Sequence, residues 1–155
     1  MSAAKRLAAL DRMPADTLCH KTAATLEALC RAMNEETTLL RAGRYKETAP
    51  YTAEKTRLAQ EYVGFVRTVQ RQSQRLLKEA PEAVQMLRAG HEQLVTQMAE
   101  NLRVIATART VTEDLLTDVA ATVGQQQKTT TYGASGQLQA GSAPVARGLA
   151  INRAS

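Results

Sequence analysis

The stretch PEAVQMLRAGHEQLVTQMAENLRVIATARTVTEDLLTDVAATV, Pro81 to Val123, decides the reading of this chain. After its first residue it holds no proline, and Leu87, Leu94, Met98, Leu102, Ile105, Leu115, Leu116, Val119 and Val123 recur mainly at intervals of three, four or seven. That period marks one long amphipathic helix. Pro81 sits near the first turn, where its missing N–H costs nothing.

Toward the N-terminus, Pro14, Gly43, Pro50 and Pro81 separate two further uninterrupted segments. Ala15 to Ala42 carries Leu18, Leu26, Leu29, Met33 and Leu40 on one face, and Gly43 fits a C-terminal stop. Thr52 to Glu79 repeats the pattern with Leu58, Tyr62, Phe65, Val66, Val69, Leu76 and Leu77, while Arg67, Arg71 and Arg75 form another side. Aromatics are scarce, at one Phe, four Tyr and no Trp, so strand-rich folds built on aromatic and β-branched residues are disfavoured. The expectation is an all-α fold: an elongated antiparallel three-helix bundle or helical hairpin with a long C-terminal helix. Its helices are placed at about 15–42, 52–79 and 82–123.

The lengths carry a second inference. Residues 15–42 and 52–79 make 28-residue helices of ~42 Å, whereas residues 82–123 make a 42-residue helix of ~63 Å. With a tight turn at Ala80 and Pro81, the third helix outruns its antiparallel neighbour by 14 residues at its C-terminal end. That surplus still carries Leu115, Leu116, Val119 and Val123 on one face, with Glu113, Asp114 and Asp118 on the other side. An apolar stripe with no internal partner is a docking surface. Its alternative covers are a second copy of the chain and a fold-back of residues 44–51.

From Gly124 the composition changes. Of the 32 residues to Ser155, 22 are Gly, Ala, Gln, Ser or Thr, too little apolar surface to offset ordering entropy. Residues 124–155 are expected to be a disordered tail with one or two short binding elements, among them TYGASGQ at Thr131 to Gln137 and the terminal stretch SAPVARGLAINRAS. The tail holds Lys128, Arg147 and Arg153 and no acid, so the net charge of +5 falls to +2 over the first 123 residues. So even a mixture is no electrostatic footprint for nucleic acid.

No run approaches the ~20 apolar residues of a membrane helix, and the start of the chain carries Lys5, Arg6, Asp11 and Arg12 without a long apolar core. A soluble protein without direct membrane insertion is expected. Cys19 and Cys30 are too far apart on one helix to bridge, yet lie near the same face, as buried free thiols of a reducing compartment do. The cytoplasm is the expected location.

Catalytic groups do not assemble. His20 and His91 are the only histidines, and no Cys-x-x-Cys, His-x-x-x-His or Glu-x-x-His spacing occurs, so no metal site, cofactor or catalytic residue is expected. The pairs Glu35–Glu36 and Glu113–Asp114 are adjacent and point ~100° apart, which reads as a solvated face rather than an acid–base dyad. Arg67, Arg71, Arg75 and Lys78 make a basic stripe, but Glu54, Glu61 and Glu79 share the helix and stacking aromatics are lacking. A helical nucleic-acid-binding protein using Arg67, Arg71 and Arg75 is the alternative reading, and a homo-oligomeric coiled-coil scaffold is another.

Three features of the chain resemble the FlgN family of flagellar type III export chaperones. EETTLLRAGRYKETAPYTAEKTRLAQEY, from Glu35 to Tyr62, is similar to the family pattern of a glutamate, leucines, a short break, then Glu-Lys and leucines. Glu100-Asn101-Leu102 falls where the family tends to have asparagine before apolar residues. Tyr132-Gly133-Ala134-Ser135-Gly136-Gln137 is similar to the family's Tyr-Gly-x-x-Gly-Gln motif after the last helix. The resemblance implies a cytoplasmic, ATP-independent chaperone for hook-filament junction proteins of the FlgK and FlgL kind, which hands its cargo to an export gate protein of the FlhA kind. From the absent catalytic groups no enzyme activity is expected, and the unpartnered stripe leaves either a monomer or a homodimer. On that reading Leu115, Leu116, Val119 and Val123 contact the cargo helix, while Tyr132, Gly133 and Gly136 dock the gate.

Overall fold

A computed structural model describes residues 1–135, with side chains described to residue 126. The chain is an all-α helical bundle in which α1 spans Ala3–Asp11, α2 Ala15–Arg41, α3 Ala49–Arg71, α4 Ser73–Glu79 and α5 Pro81–Ser135, with a 3-10 turn at Tyr45–Thr48. The residues divide into two units, Met1–Ile105 and a second beginning at Ala106.

Within the first unit, two apolar clusters set the packing. Near one end Ala15, Leu18 and Cys19 of α2 meet Leu76 of α4, Ala80 just after it, and Leu87 of α5. Farther along, Leu26, Leu29 and Met33 of α2 meet Leu58 and Tyr62 of α3, and Leu94 of α5. As numbering rises on α2 it falls on α3 and α4 and rises on α5, so α3 and α4 run antiparallel to both α2 and the start of α5. Gly90 lets α2 and α5 approach closely, since a Cβ there would lie 2.7 Å from Leu26 Cδ2.

The end of α2 follows its sequence signal. Gly43 takes φ +72°, its N–H donates to Leu40 at 3.1 Å and the Arg44 N–H donates to Leu39 at 2.9 Å. This pair of reversed bonds satisfies carbonyls that the helix leaves open.

Four differences from the sequence expectation have physical causes. The N-terminal helix α1 was not expected; Ser2 caps it by accepting from the Lys5 N–H at 3.3 Å, and Leu10 packs against the first cluster. The helix expected over 52–79 begins earlier, at Ala49, and is broken at Gln72, whose φ of −102° and ψ of 18° leave the helical range. There the Gln72 side chain turns to α1 and donates to Asp11 Oδ1 at 2.8 Å, a tertiary contact that hydrophobic periodicity does not record. The third helix does not stop at Val123 but runs to Ser135. Gln125 to Gln127 are good helix formers, and Gly124 and Gly133 cost only about 1 kcal/mol each, so residues 124–135 are helical where a disordered tail was expected. Residues 136–155 lie outside the described residues. Fourth, Glu36, read as solvated, is buried. The β-branched run Thr107 to Thr112 leaves α5 unbroken.

Candidate partner-docking site

Burial of Glu36 follows from its register: it lies seven and three residues beyond Leu29 and Met33 on the inward face of α2, and is 2% exposed. Charge in such a position needs partners. Lys55 Nζ lies 2.7 Å from Glu36 Oε1, and Thr52 Oγ1 donates to Oε2 at 2.5 Å. Asn101 Nδ2 donates to Oε1 at 2.9 Å and to Thr37 Oγ1 at 3.0 Å, while Asn101 Oδ1 accepts from Lys55 at 3.2 Å. Burial pushes the Glu36 carboxyl up, but the hydrogen bonds from Lys55, Thr52 and Asn101 and the Lys55 charge outweigh it and hold the carboxyl below the usual range. The cluster joins α2, α3 and α5 at one register. Sequence reasoning quoted Glu36, Lys55 and Asn101 separately without bringing them together; their shared inward faces were the available signal.

At the opposite end of the unit, the basic stripe divides. Arg71 pairs with Asp11, and Arg75 Nη2 donates to the Met13 carbonyl at 3.1 Å. Two of the three arginines thus tie α1 to the α3–α4 break, and Arg67 is exposed. His20 is exposed, with Nδ1 2.6 Å from the Asp16 carbonyl, and His91 Nδ1 lies 2.9 Å from the Tyr62 hydroxyl. Cys19 is buried and Cys30 half-buried; burial pushes both thiols up. Among the described residues no three His, Cys, Asp or Glu side chains gather to hold a metal ion, and no helix is long and apolar enough to cross a membrane.

The expected docking stripe lies in the second unit, on α5. Leu115, Leu116, Val119 and Val123 are 61%, 63%, 51% and 42% exposed. Val111, one turn before Leu115, is exposed as well. Residues 45–48, within the segment whose fold-back was one alternative, pack against α2 and α3. Helical geometry groups these aliphatic side chains: Leu115, Val119 and Val123 are four apart, and Leu116 is three before Val119. Thr110, Thr112, Thr117 and Thr122 return their hydroxyls to carbonyls four residues back at 2.8–3.1 Å. The helix therefore satisfies its own hydroxyls while its leucines and valines face solvent. Leu77, Met98 and Leu102, expected on inward faces of the bundle helices, are also exposed.

Of the residues assigned to gate docking, Tyr132 and Gly133 fall within the α5 backbone span. Gly136 lies outside the described residues.

No family model matches the chain, and no curated protein or solved structure matches it. The likeness to flagellar export chaperones therefore rests on the quoted residues.

Proposed function

We propose that this chain is an ATP-independent export chaperone of the FlgN type, acting in the cytoplasm as a binding protein and not as an enzyme. In this reading it holds the amphipathic C-terminal helix of a FlgK- or FlgL-like junction protein against Leu115, Leu116, Val119 and Val123. It keeps that helix from assembling early and passes the cargo to an FlhA-like gate protein through Tyr132, Gly133 and Gly136.

The observation that carries the reading is the exposure of four consecutive stripe positions on α5. An aliphatic side chain taken from water contributes about 1.5–3 kcal/mol, and an amphipathic helix laid along the stripe covers several at once. Association costs of about 4–15 kcal/mol absorb much of this gain, which suits a carrier that must release. Engagement of Arg71 and Arg75 with Asp11 and Met13 favours the stripe over the basic face as the working surface.

Titrating the isotope-labelled chain with a FlgK-type C-terminal peptide, followed by amide NMR, tests the proposal. Shifts concentrated at residues 115–123 are expected, and a short DNA duplex serves as control. Shifts at residues 67–78 with DNA, and none with peptide, would overturn the proposal. Tyr132→Ala should lose gate binding and keep cargo; loss of both would defeat the two-site arrangement.

A further inference from the structure

The stripe lies in a charge environment unlike the rest of the chain. The whole sequence carries +5, yet from Thr110 to Gln127 there are three acids, Glu113, Asp114 and Asp118, and no Lys or Arg. At 100° per residue, Glu113 and Asp118 fall on opposite edges of the face formed by Leu115, Leu116, Val119 and Val123. Each edge of the apolar strip therefore carries an acid. Glu113 reaches back to Arg109 at 3.2 Å, but that pair is exposed, with the Glu113 side chain at 50%, and it leaves the edge open to a second cation.

From this juxtaposition we infer that the partner helix is basic at its flanks: an amphipathic helix with aliphatic residues at three- and four-residue spacing and Lys or Arg on both sides of them. The inference rests on the docking reading above and names the charge of its partner. A second copy of this chain is the poorer occupant. Antiparallel pairing centred on the stripe sets Asp118 against its own image, and parallel pairing sets the Glu113 edge of each copy against the Asp118 edge of the other, so either arrangement gathers acids beside the apolar seam. A basic-flanked helix meets the same edges with attraction. It gains in encounter rate and in choice of partner more than in final affinity.

The test uses the full chain and two synthetic helical peptides with one apolar face, one flanked by Lys and one by Glu, each followed by fluorescence anisotropy at low and high salt. The Lys-flanked peptide should bind about tenfold more tightly at low salt, with the gap narrowing as salt screens the edges. Glu113→Lys combined with Asp118→Lys should reverse the preference, and circular dichroism should show unchanged helicity because both positions are exposed. Equal binding of the two peptides would overturn the charge inference while leaving the docking reading intact. Binding of neither would overturn both. A dimer that Leu115→Ala with Leu116→Ala dissolves would assign the stripe to a second copy and overturn the inference.

Discussion

Glu36 is a heavily constrained side chain: a buried carboxylate with three polar groups, from Thr52, Lys55 and Asn101, converging on it. Removing its cation leaves the charge without compensation, so Lys55→Met should lower unfolding free energy by about 3 kcal/mol in urea denaturation. The double variant Glu36→Leu with Lys55→Met should recover most of that loss, because an apolar pair requires no desolvation of charge. Glu36 also dictates a pH response. Its folded-state carboxyl is held below the ordinary range, so its stabilisation is full above the unfolded value of ~4.3 and fades as pH falls through the lower folded-state value. Glu36→Gln should flatten that acid limb in thermal melts at a series of pH values. The cysteines behave oppositely. Burial raises both thiols and keeps the thiolate scarce, so a disulfide reagent should label neither quickly in the folded protein and both after denaturation.

At the scale of elements, two glycines inside helices make a contrast. Gly64 has nothing within 4 Å of where a Cβ would stand, whereas at Gly90 a Cβ meets Leu26. Gly64→Ala should stabilise by about 1 kcal/mol through helix propensity. Gly90→Ala should lose that gain to overpacking of about 1–3 kcal/mol, which paired thermal melts would resolve. The same elements show what the sequence made legible. The periodicity of Leu18 to Leu40, the Gly43 stop and Pro81 placed α2 and the start of α5 within a residue or two, because helix periodicity and caps are local properties. The break at Gln72 was hidden, since it depends on Asp11, 61 residues away in sequence. Glu36 was misread for a related reason: its neighbour Glu35 is exposed, and only Lys55 and Asn101, distant in sequence, make the inward position tolerable. The stripe was legible as a pattern, because an exposed helix face leaves its apolar spacing undisguised. The helix past Val123 was not, since a composition rich in glycine and glutamine masks the absence of any proline between Pro81 and Pro144.

Taken as a whole molecule, the chain separates the residues that hold it together from those assigned to binding. Every residue of the two apolar clusters belongs to Met1–Ile105, and the stripe belongs to the second unit. Leu115→Ala with Leu116→Ala should therefore leave the midpoint of global thermal unfolding within about 1 °C while abolishing capture of a junction-protein peptide, since substitutions at exposed positions rarely cost more than ~0.5 kcal/mol. A large drop in the midpoint would mean that these leucines stabilise the fold.

The hydroxyl-to-carbonyl bonds of Thr110, Thr112, Thr117 and Thr122 have a consequence in time rather than in structure. A helical segment sustained by its own ladder opens and closes on the sub-microsecond to microsecond scale, far faster than a packed bundle unfolds. Backbone amides of residues 106–126 should exchange with deuterium in seconds while those around Leu18, Leu29 and Leu94 persist for hours. A partner bound at the stripe would slow the first group and leave the second untouched, so the exchange rate of that segment is a clock that reads whether the stripe is occupied.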